Sequence, residues 1–192
     1  MSYPPRVVLR EVVDSELPIF FEHQRDPEAV RMAAFPSRDH DAFMTHWAKL
    51  RREPSNIIRT IVCDGQVAGN IGSWIAEDRR LIGYWIGREF WGQGVATAAL
   101  VAFVAEVKER PLHAFVAKHN VGSIRVLEKC EFVPSPRARS QHGRRRRDPR
   151  GPLHALAPRS MIPSSGSKTL NVDRVRVLDR ADLHRTNRKA WL

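Results

Sequence analysis

The residues with most chemistry to offer lie in one stretch, Arg88 to Leu100 (REFWGQGVATAAL), where two glycines flank Gln93 before alanines and aliphatics take over. Glycine is costly in ordered backbone and is kept where a chain turns tightly or lets something approach closely. A strand-like run ending at Ile86-Gly87 precedes the stretch, and Trp91-Gly92-Gln93-Gly94-Val95-Ala96-Thr97 leads into an apolar helix. The first N–H groups of a helix have no internal partner, and the macrodipole leaves partial positive charge there. Glycines at that point let those amides close around an anion, which is a phosphate-cradle arrangement. The same residues also suit a plain strand-to-helix turn, and spacing alone does not separate the two. Other phosphate loops are set aside. A P-loop needs Gly-Lys-Ser/Thr, and a dinucleotide fingerprint needs a third glycine where Thr97 stands and a parallel strand before the loop.

The elements around this stretch follow from periodicity. Val7–Val13 alternates and is expected as a first strand, and Ser15–His23 as a helix capped by Ser15 or Asp14. Asp39 to Arg52 spaces Phe43, Trp47 and Leu50 on one helical face and stops before Pro54. Ile57–Cys63 and Gln66–Trp74 are apolar strands around Asp64-Gly65, a strong hairpin signal, and Arg80–Gly87 completes a meander. Val95–Lys108 is apolar nearly all round, which predicts a helix buried on more than one side. Leu112–Ala117 is a strand, Asn120 opens an amphipathic helix through Cys130, and Phe132-Val133 begins another strand. Strand, buried helix and strand in that order give a parallel crossover beside an antiparallel meander. The fold class expected is α+β with a mixed, mostly antiparallel sheet flanked by helices.

After Val133 the character changes. The first 133 residues carry 17 Lys and Arg against 17 Asp and Glu, and the rest carry 15 against 4, so the net charge of +11 belongs to the tail. The run from Pro134 to Ser160 has eight arginines, five prolines and neither lysine nor glutamate, which suits disorder better than a periodic element. Domains are therefore expected at 1–133 and, as a tail, 134–192. Within the tail, TLNVDRVRVL alternates as a strand does, and ADLHRTNRKAWL reads as a frayed helix. The tail's composition matches an out-of-frame reading of a GC-rich gene, which predicts an intact ending one base away in the nucleotide sequence. Cys63 and Cys130 lack any metal or disulfide spacing, so no metal is expected. With neither an apolar run of about eighteen residues nor a secretory pattern at the start, a cytoplasmic protein with no membrane contact is expected.

Two motifs at the right separation carry a resemblance. YWIGREFWGQGVATAAL followed by FVAKHNVGSIRVLEKCEFV resembles the GNAT N-acetyltransferase superfamily, nearest to its branch of ribosomal-protein N-terminal acetyltransferases. Trp91-x-x-Gly94-x-Ala96 matches the family's loop, and Asn120, Ser123, Lys129 and Phe132 match its second motif, over residues 7 to 133. The resemblance implies acetyl-CoA as co-substrate. It implies that Ile86 and Gly87 pair with the pantetheine arm, that Gly92, Gln93, Gly94, Val95, Ala96 and Thr97 hold the pyrophosphate, and that Asn120 touches the arm. Asn120 also suits an N-cap, a use that needs different atoms. Ser123 is implied as proton donor to the departing thiolate; its plainer use is to satisfy the first helical turn.

The resemblance supplies no general base, because the late strands that carry one fall in the tail, where only Asp148 lies nearby. Glu77, Asp78 and Glu89 are read as solvated residues at the cleft edge, Tyr84 as a packing residue, and His113 and His119 as structural. Glu131 stands where the family has glycine, which predicts a strained helix end costing roughly 1 kcal/mol. The last strands are expected to be missing, which would leave an open sheet edge. The expected activity is transfer of acetyl to a primary amine on a protein N-terminus or small molecule, by a monomer or homodimer. The competing readings are an inactive CoA-binding domain, and non-specific polyanion binding through Arg144–Arg147 rather than specific nucleic-acid recognition.

Overall fold

Turn chemistry builds the first half of the sheet. The computed structural model describes residues 5–135 and 173–178. β2 (Ile57–Cys63) and β3 (Gln66–Ala76) join at Asp64-Gly65, whose φ values of 49° and 85° are those of a two-residue I′ turn. β3 returns as β4 (Arg79–Ile86) through Glu77 and Asp78, at φ 50° and 55°. These two acids were expected at the cleft edge. They are instead the turn at the far end of β4, about 25 Å along the strand from Ile86. β1 (Val7–Arg10) adds antiparallel to β2 and is shorter than the alternation predicts.

β5 (Leu112–Ala117) pairs parallel with β4, and the sheet order is β1-β2-β3-β4-β5-β7-β6. β6 is Val133–Pro134 and β7 is Arg174–Leu178. β7 falls within the stretch whose alternation suggested a strand, and it lies parallel to both β5 and β6. Val175 and Leu178 are buried, so the tail does supply a late strand to the sheet. The arginine run at 144–147, Asp148 and the expected terminal helix lie outside the described residues.

Two helical layers cover the sheet. α1 (Leu17–Arg25) and α3 (His40–Arg52) bury Leu17, Phe20, Phe43 and Trp47 against Ile58, Trp74 and Leu81. α4 (Val95–Glu106) buries Val95, Ala99, Leu100 and Phe103 against Ile61, Ile71, Ile82 and Val116, and α5 (Val121–Lys129) adds Leu127. Leu81 and Ile82 thus serve opposite faces, as neighbours in a strand must. α4 is apolar nearly all round, yet one of its faces is open. Ala98, Val101, Ala102 and Ala105 form an exposed face, with Val101 56% accessible, because small side chains on that face add little to be hidden.

α2 (Pro27–Ala33) was not foreseen. Its signal was present: Asp26 accepts from the Ala29 N–H at 2.8 Å, and Pro27 takes the first helical position. Nor do Ser15 or Asp14 cap α1. A 3-10 turn, Asp14–Glu16, comes first, and Glu16 turns inward to accept from the Val13 amide, the Thr60 hydroxyl at 2.5 Å and Arg10.

The end of α5 bears out the strain expected of Glu131. Its φ is 65°, and Phe132 N–H bonds to Leu127 C=O at 3.0 Å while Glu131 N–H bonds to Glu128 C=O at 3.1 Å. That is a Schellman ending with glutamate in glycine's place.

Candidate active site

The site begins where β4 and β5 part. Their register covers only Arg80–Ile82 against Leu112–Ala114, although β4 continues to Ile86 and β5 to Ala117. Beyond Ile82 the strands splay into a V, and a cleft of about 510 Å³ opens there. β4 supplies Tyr84, Trp85 and Ile86 to its wall, the glycine loop and α4 supply Gly92 and Gly94 to Thr97, α5 supplies Ser123 and Lys129, and α2 supplies Ala29 and Met32.

The backbone at the end of β4 is selective about which amide it offers. Gly87 N–H is spent on Ala68 C=O at 2.9 Å. Antiparallel ladders alternate sides, so the Ile86 amide faces away from β3 and into the V. Ile86 C=O already accepts the Trp91 indole N–H at 2.9 Å, which pins the loop to the strand. Gly87 itself does not line the cleft; a Cβ there would meet His23 Nε2 at 2.6 Å.

The loop that follows is a cradle open on one side. Gly92 and Gly94 have φ of 74° and 83°, the left-handed region that glycine occupies freely, and a Cβ on either would meet nothing within 4 Å. Gly94 is the N-cap of α4 and offers no side chain to its orphan amides. Gly94, Val95, Ala96 and Thr97, the residues of that terminus, line the cleft. Gln93 instead donates its side-chain N–H to Glu89 C=O at 2.6 Å and does not line the cleft. Arg125 and Lys129, one turn apart on α5, add two cations to the lining of the cleft. The donor set therefore suits an extended, phosphate-bearing ligand entering the V.

Across the cleft, Asn120 caps α5: its Oδ1 accepts the Ser123 N–H at 3.0 Å, leaving its amide N–H₂ for other uses. Ser123 lies beside Tyr84, whose hydroxyl oxygen is buried and closes no hydrogen bond of ordinary geometry. Burial pushes the Tyr84 phenol up to about 12, with Ser123 acting the other way.

The structure thus brings together Ile86, Gly92, Gly94, Val95, Ala96, Thr97, Asn120 and Ser123 of the expected residues. His119 is structural, donating from Nε2 to Arg31 C=O at 2.7 Å and so tying the loop before α5 to α2. His113 stands on β5 beside Arg174, with burial lowering its pKa. Glu89 is more than a solvated acid, since it meets His23 Nε2 at 3.3 Å under Gly87. Burial holds the His23 imidazole below its ordinary value, Glu89 partly opposing. Sequence reasoning passed over His23 because one histidine on an apolar helix face carries no spacing signal.

Comparison with known proteins agrees with this geometry. The family model described as the acetyltransferase (GNAT) domain matches residues 6–133. Among solved structures, a protein of T. thermophilus assigned as an acetyltransferase is 26% identical at a TM-score of 0.54, over 69% of this chain and 78% of that one. The microcin C7 self-immunity acetyltransferase MccE, in complex with acetyl-CoA and AMP, shares the fold at 17% identity and a TM-score of 0.57, over 66% of this chain and 78% of its own. RimL, the ribosomal L7/L12 alpha-N-protein acetyltransferase in complex with coenzyme A, shares it at 19% and 0.57, over 66% and 80%. No curated protein matches the chain.

Proposed function

The chain belongs to the GNAT acetyltransferase family, and we propose that this acetyl-CoA-dependent acetyltransferase delivers its acetyl group to a primary amine, on a protein N-terminus or a small molecule. The observation that carries the reading is the glycine-led helix N-terminus, open on its outer side, at the mouth of the V between β4 and β5. Acetyl-CoA supplies an activated thioester and a diphosphate handle.

The amides of Gly92, Gly94, Val95, Ala96 and Thr97 would hold that diphosphate, as helix N-termini do. Gln93 lies outside the cleft lining and is not proposed as a binding residue. Arg125 and Lys129 add charge to the lining of the cleft. Asn120 would touch the arm through its amide N–H₂ while its Oδ1 keeps the helix cap. Ile86 N–H, left unpaired with β5 by the splay, would donate to the carbonyl oxygen as charge grows on it. Ser123 would give its hydroxyl proton to the departing sulfur. Gly87 shapes the strand end and is not proposed as a binding residue.

Among the described residues that line the cleft there is no Asp, Glu or His. The amine would therefore arrive neutral, or shed its proton to solvent. That gap also favours a second reading, a domain that binds CoA and transfers nothing. The test is acetyl transfer from labelled acetyl-CoA to a panel of peptide N-termini and small amines, read by mass. Product with any amine supports the proposal; saturable CoA binding with no product over the whole panel favours the second reading. Among the described residues, no helix is long and apolar enough to cross a membrane.

A further inference from the structure

One side chain in the cleft is left with chemistry and no assigned use. Tyr84 stands on β4 beyond the point where β5 has diverged, and it lines the cleft together with Ser123. Its hydroxyl oxygen is buried without a hydrogen-bond partner, although a buried phenol O–H usually has one. The side chains that bear on it are Ser123 and Cys130, both from α5 and its end. Its phenol, pushed up to about 12, keeps its proton throughout the neutral range. It can give a hydrogen bond and cannot serve as a base there.

We propose that Tyr84 is a positioning residue for Ser123: its phenol O–H donates to Ser123 Oγ once the cleft is filled, turning the serine's own hydrogen toward the departing sulfur. The proposal rests on the acetyl-transfer reading above. The amine nitrogen bonds to the carbonyl carbon, the C–S bond breaks with its electron pair going to sulfur, and the Ser123 proton follows that pair. The serine oxygen, held by Tyr84, then takes up the proton that the acylated nitrogen releases through solvent. Tyr84 keeps its own hydrogen throughout. It acts by orientation and by stabilising charge on the serine oxygen.

The test uses the full chain with coenzyme A as probe. The sequence contains two tyrosines, Tyr3 and Tyr84, so tyrosine labelled at Cζ gives two NMR signals and Tyr84→Phe assigns them. Coenzyme A is expected to shift the Tyr84 signal in the wild type and to leave it unmoved in Ser123→Ala. In turnover with a peptide amine, Tyr84→Phe is expected to lower kcat about tenfold, the loss of one hydrogen bond to a charged atom, with KM for acetyl-CoA changed less than about twofold. In the Ser123→Ala background the same change should cost nothing further. A Tyr84 signal indifferent to Ser123→Ala, or losses that multiply, would overturn the proposal. A wild type that transfers to no amine overturns the acetyl-transfer reading instead, and the NMR comparison still decides whether the two hydroxyls pair.

Discussion

Replacing Gly94 by alanine separates two things the loop must do, hold an unusual backbone and admit an anion. Gly94 has φ 83° and ψ −1°, so an L-residue there incurs the left-handed penalty of about 1–2 kcal/mol. A Cβ at this position meets no protein atom within 4 Å, so no clash adds to that cost. Thermal unfolding should therefore fall by about 2–8 °C for a chain of this size. The added methyl would stand at the mouth of the cradle and displace an anion from the amides. Losing one charge-assisted hydrogen bond is worth about 1.5–3 kcal/mol, so coenzyme A affinity by calorimetry should drop about 10- to 100-fold. Gly65→Ala is the matched control. Gly65 has φ 85°, also has nothing within 4 Å, and does not line the cleft. It should lose the same stability and no affinity. Equal affinity losses in the two variants, or none in either, would refute the cradle.

Three further outcomes follow from local geometry. Glu131→Gly should raise stability by about 1 kcal/mol, or about 2–4 °C, by relieving φ 65° within an intact Schellman ending; a lower melting temperature would contradict the strain. Thr60→Val removes a buried hydroxyl that donates to the Glu16 carboxylate, and should cost about 1.5–3 kcal/mol while leaving coenzyme A binding unchanged. Burial pushes Glu16 up, but Thr60, the Val13 amide and Arg10 outweigh it and leave the carboxyl below its ordinary value. Its stabilisation is thus present above the ordinary carboxylate pKa and is lost as pH falls through the folded value, so Thr60→Val should also flatten acid unfolding. For His23, burial depresses the folded pKa below 6.5, so stability is full above that value and drains as pH falls through the folded one. His23→Gln should lose less melting temperature than the wild type between about pH 7.5 and pH 5.5, and parallel curves would contradict the buried neutral imidazole.

Local rules made much of this legible. Asp64-Gly65 placed a hairpin because both turn residues must take positive φ, and β2 came out with the expected bounds. Asn120 was readable as a cap and Gly94 as a helix entrance because each role depends on a few adjacent atoms. Other features depend on partners distant in sequence. β7 slots between β5 and β6 by pairing Arg174 with His113, which no local pattern encodes. Gly87 looked like a cleft residue, yet ladder alternation turns its amide onto Ala68 and gives the cleft Ile86 instead. The Glu77-Asp78 turn was hidden because neither residue is the glycine or asparagine that positive φ normally selects. α2 was missed for its length: seven residues give too few repeats for a 3.6-residue period to show, although Asp26-Pro27 marked its start.

The central claim is that the glycine loop and the splayed strands form an acetyl-CoA site, and calorimetric titration of the full-length chain with acetyl-CoA tests it most directly. The account predicts saturable, micromolar binding of one equivalent. No binding heat over a range of temperatures, from a chain whose cooperative unfolding shows that it is folded, would contradict it.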